Sequence, residues 1–148
     1  MSTRRDACAR LLAVAVCAVP FLPGPAAAQD VSALEQKAIR AVVEAQFAAF
    51  AADDARRAFD FASPTLREMF GSPDRFIDMV RRSYPVVYRH TSAIFLAPVR
   101  VEGQLIQGVN LTDAGGGLWL AVYQFERQPD ASWRISGCVV QPSSGRMT

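Results

Sequence analysis

The chain has 148 residues, 51% of them apolar, and 16 basic against 14 acidic side chains give a formal charge of +2. That length holds one domain, with or without a leader, and so slight a basic excess, with no clustered basic stripe, argues against nucleic acid as a partner. One histidine and three cysteines supply no convincing closed ligand set, so no structural metal is expected.

Arg4, Arg5 and Arg10 lead into the apolar run Leu11–Leu22, which is followed by Pro23, Gly24, Pro25 and three alanines. This is the pattern of a secretory signal peptide: the run is too short to span a bilayer, and Ala26, Ala27 and Ala28 place cleavage before Gln29. Cys17 is poorly flanked for lipid attachment. Asp6, Ala7 and Cys8 lack the apolar character of a twin-arginine signal, so Arg4 and Arg5 read as an ordinary basic leader. The expected organisation is a signal peptide at 1–28, a single α+β domain at 29–142 and a C-terminal tail at 143–148. The expected localisation is periplasmic or secreted, with no membrane association after cleavage. Beyond residue 28 the chain holds 13 basic and 13 acidic residues, and Cys138 is its only cysteine, which excludes an internal disulfide. Cys138 lies in an apolar segment without His or Lys nearby, where a thiol behaves as a small buried hydrophobe.

From Val31 to Ala52 there is no Gly or Pro, and Leu34, Ala38, Val42, Ala45 and Ala49 recur at helical spacing. Lys37, Arg40 and Glu44 share the opposite, solvated face. Gln46 falls among the apolar positions, where it either bonds a buried backbone group, the favoured role, or lines a cavity. Asp53 or Asp54 is placed to cap a short helix through Ala62. Ser63-Pro64 and Ser72-Pro73 each put a capping hydroxyl before a proline at the first helical position, with Gly71 as a stop between two further helices, the second ending near Arg82. After Pro85, β-branched and aromatic runs near 86–97, 99–111, 117–127 and 132–140 predict four strands. Glu102-Gly103 and the segments 113–117 and 128–130 are suitable connections, the latter two short enough for antiparallel hairpins. The glycines at 115–117 lack the following lysine of a phosphate loop.

Helices followed by an antiparallel sheet make an α+β fold, with helices packed on one face of a curved four-stranded sheet that encloses a pocket. On the third run Trp119, Ala121, Tyr123 and Phe125 share one face, read as core, with the Tyr123 hydroxyl expected to find a backbone partner. Leu118, Leu120 and Val122 then lie on the other face, as a patch for a homodimer or for cover by the C-terminal tail.

Several short stretches, taken together, carry a resemblance. They are Glu44-Ala45-Gln46-Phe47 with Ala58-Phe59, Ala62-Ser63-Pro64, Phe70-Gly71 with Phe76, Met79-Val80, Tyr84-Pro85 with Val87-Tyr88-Arg89, and Trp133-Arg134-Ile135-Ser136-Gly137-Cys138. Over Ala38 to Val140 the chain resembles the bacterial domain of unknown function 4864 family, with His90 standing where that pattern has proline. The order of elements is also similar to the nuclear transport factor 2-like superfamily, a cone-shaped fold. That likeness implies a pocket and no particular reaction, because the superfamily includes isomerases, dehydratases, ligand-binding modules and secretion-system subunits.

His90, on the first expected strand, is the only histidine and finds no partner pattern for a nucleophilic triad. Tyr84, Tyr88, Tyr123, Asp60 and Asp78 are the groups available for acid–base work in a pocket. No catalytic residue and no cofactor is assigned. The pocket candidates for binding are Gln46, Tyr88, Trp119 and Tyr123, with a small apolar molecule as ligand. The reading is an exported, noncatalytic small-ligand-binding or protein-interaction module. A cofactor-independent pocket enzyme of isomerase or dehydratase type is the alternative, and an accessory subunit of an envelope assembly is a third.

Overall fold

Ser32 starts the first helix by a reciprocal exchange: its hydroxyl accepts from the Glu35 N–H at 3.2 Å, and the Glu35 carboxylate accepts from the Ser32 N–H at 3.0 Å. The computed structural model describes residues 30–144. The signal segment, its cleavage point, Cys8, Cys17 and the end of the tail lie outside the described residues. Helix α1 (Ala33–Ala51) buries Ile39, Val43, Gln46, Phe47, Ala49 and Phe50, while Arg40 and Glu44 pair at 2.8 Å on the solvent side. Asp54, Ser63 and Ser72 cap α2 (Ala55–Asp60), α3 (Pro64–Phe70) and α4 (Pro73–Ser83) through their side-chain oxygens, and the last two begin on proline. Gly71 closes α3 at φ +77°, a left-handed conformation that glycine adopts without steric cost.

The segment after Tyr84 departs from expectation. Residues 85–88 form a single helical turn, α5 (Pro85–Tyr88), in place of the start of a strand. Pro85 fixes φ at the first position, and Val86, Val87 and Tyr88 are all buried, which an alternating strand with one solvent face cannot achieve. His90 accordingly lies in the connection after α5 and not on a strand. Among the described residues the sheet has five strands where four were expected: β1 (Ser92–Phe95), β2 (Val99–Val101), β3 (Gln104–Thr112), β4 (Leu118–Arg127) and β5 (Trp133–Pro142). The run at 99–111 folds back on itself at Glu102 (φ +49°) and Gly103 (φ +82°), a two-residue turn of the type whose twist matches a hairpin. All pairings are antiparallel, in the order β1-β3-β4-β5 with β2 also on β3.

Among the described residues, α1, α3 and α5 lie against one face of this open sheet, and α2 and α4 pack on them. Leu105, Val109 and Leu111 on β3, with Ala121, Tyr123 and Phe125 on β4, meet the buried stripe of α1 and the aromatic cluster of Phe50, Phe59, Phe70 and Phe76. The other face carries Ile94, Val99, Val101, Leu118 and Val139, all exposed, while Leu120 and Val122 are half-buried. There Leu96 leans over Gly108, where an added Cβ would come within 3.1 Å of the leucine. No described helix is long and apolar enough to cross a membrane.

Candidate functional site

A cavity of about 270 Å³ lies between the helices and the sheet, near the lower end of the ~300–1,000 Å³ common for small-ligand sites. Alpha-helix α1 contributes Gln46 and Phe50, and α4 contributes Phe76, Met79 and Val80. The sheet supplies Tyr123 from β4 and Ile135, Gly137 and Cys138 from β5. Leu66, Met69 and Phe70 of α3 stand with Tyr84 at the rim, where Met69 is largely exposed. The wall contains no charged side chain.

Its polar groups are few and differ in how they are satisfied. Gln46 is 3% exposed and its Nε2 donates to the Ala58 carbonyl at 3.2 Å, which ties α1 to α2. The residue therefore holds backbone and lines the cavity, combining the two roles its position suggested. Tyr123 is 1% exposed, and its hydroxyl has no hydrogen-bond partner, contrary to the backbone bond expected for it. Its cross-strand neighbours are Gln107 and Cys138. Gln107 is already committed, its Nε2 donating to the carbonyls of Leu96 at 2.6 Å and Gly108 at 2.8 Å. The Cys138 thiol lies beside the phenol without completing a bond of good geometry. Burial, then proximity to Cys138, raises the Tyr123 pKa well above its ordinary value. Burial pushes the Cys138 thiol up to about 12, although the neighbouring Tyr123 hydroxyl works against it. Both groups are neutral at physiological pH, so Cys138 is a poor nucleophile there.

The other two binding candidates lie elsewhere. Tyr88 is buried in α5, and its hydroxyl donates to Asp53, whose carboxylate also accepts from Arg89 at 2.9 Å and Arg81 at 3.3 Å. Arg89 and Arg81 approach the Tyr88 ring at 4.3 and 5.0 Å from its centroid. Asp53 adopts φ +55°, and the donors converging on it, Tyr88 first and then Arg89, hold its pKa below the usual range. Trp119 faces a separate depression of about 470 Å³ beside Pro85, Arg89 and Val140. Its Nε1 donates to Asp113 at 2.8 Å, and that carboxylate also accepts from the N–H groups of Gly115 and Gly117, closing the β3–β4 turn.

His90 packs its ring on Phe47 with centroids 4.5 Å apart, and burial lowers its pKa despite the nearby carbonyls of Val87 and Val86. Asp60 and Asp78 are exposed and lie outside the cavity wall. The structure thus brings Gln46 and Tyr123 together, and adds Tyr84, Cys138 and the α3 rim. Cys138 was legible only as a buried thiol. Its register opposite Tyr123 depends on a bulge at Gln124/Phe125, where Ser136 is passed over in the pairing.

Residues 32–148 match the family model described as Domain of unknown function (DUF4864), and the chain belongs to that family. No curated protein and no solved structure is significantly similar to it.

Proposed function

We propose that this protein is an exported, noncatalytic module that holds a small apolar molecule between its helices and its sheet, in a cone of the nuclear transport factor 2-like type. The observation that carries the reading is a cavity of about 270 Å³ between helices and sheet whose wall is largely apolar and holds no charged side chain among the described residues. A concave, mostly apolar pocket with few polar groups is the usual form of a small-molecule site. Export is supported by the leader at residues 1–28, followed by a folded domain without a membrane-spanning helix among its described residues.

The test is a fluorescence titration with N-phenyl-1-naphthylamine, a neutral apolar dye. Saturable binding at one site is expected, and Cys138→Leu, which adds volume to the wall, should weaken it at least tenfold while cooperative melting persists. Binding that does not saturate, or that Cys138→Leu leaves unchanged, overturns the reading.

The outer face of the sheet supports a second role. Ile94, Val99, Leu118 and Val139 expose an apolar surface across β1, β2, β4 and β5, with Leu120 and Val122 between them. A second copy of the chain meets it with the same patch, as a two-fold dimer requires. Sedimentation should give a dimer that Leu120→Glu converts to a folded monomer. A monomeric wild type, or a dimer that survives the substitution, removes this role.

A further inference from the structure

A second concavity, a groove of about 690 Å³, shares no lining residue with the cavity described above. Its floor is apolar. Leu34, Ala38 and Val42 recur every four residues along one face of α1, a stripe about 12 Å long, and the half-buried Phe61 and Trp133 extend it. Leu34 is 74% exposed, a large side chain left open to water at the groove. Three arginines from three elements stand along the same lining: Arg57 of α2, Arg127 of β4 and Arg134 of β5. Arg134 donates to the Asp60 carbonyl, but Arg57 and Arg127 are exposed and have no carboxylate partner among the described residues. The two acidic residues of the lining are engaged elsewhere, Glu35 by Arg100 at 2.7 Å and Asp60 by Arg67 at 3.9 Å. Arg127 and Trp133 are cross-strand partners, with the guanidinium 5.9 Å from the centre of the indole ring.

We propose that this groove is a second binding site, independent of the cavity, and that it takes a single-chain carboxylate amphiphile of the fatty-acid type. The alkyl chain lies along Leu34, Ala38 and Val42, where it removes apolar surface from water. The carboxylate is drawn to the arginine rim, whose planar guanidinium groups donate in the fork geometry that a carboxylate accepts. A cationic head would meet like charge from Arg57 and Arg127, and a neutral one would leave that charge unused. The site requires no reaction, and because both arginines are open to solvent the head can reach them without any rearrangement of the core.

Three probes with the same chain separate the possibilities: decanoate, 1-decanol and decyltrimethylammonium, each titrated below its micellar concentration at pH 7. The readout is the indole N–H signal of Trp133 in ¹⁵N-labelled protein. The chain has two tryptophans, and the Trp119 signal is identified by its loss in Trp119→Phe. Decanoate should shift the Trp133 signal saturably, binding about threefold tighter than decanol and about tenfold tighter than the cation. A merely apolar groove would prefer the alcohol. The double variant Arg57→Gln, Arg127→Gln replaces two exposed side chains, so it should fold, lose about tenfold in decanoate affinity and keep its affinity for decanol. Decanoate that binds without moving the Trp133 signal, or equally well to the double variant, overturns the inference and leaves the cavity reading untouched. Preference for decanol or for the cation overturns it as well. Sedimentation with vesicles of phosphatidylglycerol and phosphatidylcholine without binding of free decanoate would assign the groove to a membrane surface, and a dimer that the double variant dissociates would assign it to a second copy; either overturns the inference.

Discussion

Two buried tyrosines pack against α1, Tyr88 on Phe50 and Tyr123 on Phe47, and their hydroxyls meet opposite circumstances. Tyr88 donates to the carboxylate of Asp53, which Arg89 and Arg81 also engage. Tyr123 has a ring as well buried, and its hydroxyl has only the Cys138 thiol beside it, without a hydrogen bond of good geometry among the described residues. A protein that needs only stability gains by satisfying or deleting such a group. The contrast separates a charge-assisted cluster that fastens the end of α1 from a core tyrosine whose hydroxyl adds little to the fold.

The substitution that breaks both regions at once is Phe76→Ala. Phe76 is 6% exposed and touches Phe50 beside Tyr88 as well as Phe59 and Phe70, and it forms part of the cavity wall. Its truncation should cost about 3–5 kcal/mol in urea unfolding. Tyr88→Phe leaves the ring in place and removes one charge-assisted bond, with an expected loss of about 1–2 kcal/mol. A loss no larger than that of Tyr123→Phe would show that the two hydroxyls do not differ in the way described.

Acid titration sharpens the comparison by isolating a third contact. Glu35 joins α1 to β2 through Arg100 at 2.7 Å, and the hydrogen bond from Arg100, followed by those from Ser32, lowers its pKa from 4.5 to about 2. Because the folded value is the lower one, the contribution of Glu35 is complete above about pH 4.5 and disappears as pH falls towards 2. Glu35→Gln should therefore cost about 1 kcal/mol at pH 7 and make stability less steep between pH 4.5 and 2. An unchanged acid profile would assign that slope to Asp53 and the other carboxylates. The smallest effect belongs to Tyr123→Phe: a change within about 0.5 kcal/mol, or a slight gain, since an unsatisfied buried hydroxyl is removed and the ring stays. A loss comparable with Tyr88→Phe would mean that the hydroxyl is bonded in the free protein.

Much of the helical layer was legible because its signals are local. Ser63-Pro64, Ser72-Pro73 and Gly71 fix helix ends within three residues of themselves, and the structure has the caps at those positions. The turn at Pro85 was hidden because Val86, Val87 and Tyr88 favour strands intrinsically, and only their joint burial at a chain junction makes them helical. At the fifth strand Glu102-Gly103 was legible as a connection, but the run 99–111 around it read as a single strand because only three residues, Val99–Val101, precede the turn. At the site, helical and strand periodicity placed Gln46 and Tyr123 on inward faces. Tyr88 and Trp119 are inward too, but their polar ends are captured by Asp53 and Asp113, aspartates in turns whose conformation periodicity does not encode.

The joint between α2 and α3 bears on how fast anything could leave the cavity. The Ser63 N–H donates to the Ile135 carbonyl, and the Ile135 N–H donates to the Phe61 carbonyl, both at 2.8 Å, so this short segment is stitched alongside β5. Downstream of that stitch α3 has no buried residue, and it ends at the left-handed Gly71, yet Leu66, Met69 and Phe70 form the rim. An element fastened at its root and thinly packed along its length opens at a lower free energy than the fold as a whole. Access to the cavity is thereby uncoupled from global stability: hydrogen exchange in residues 66–70 would report this local opening, while the melting temperature would not.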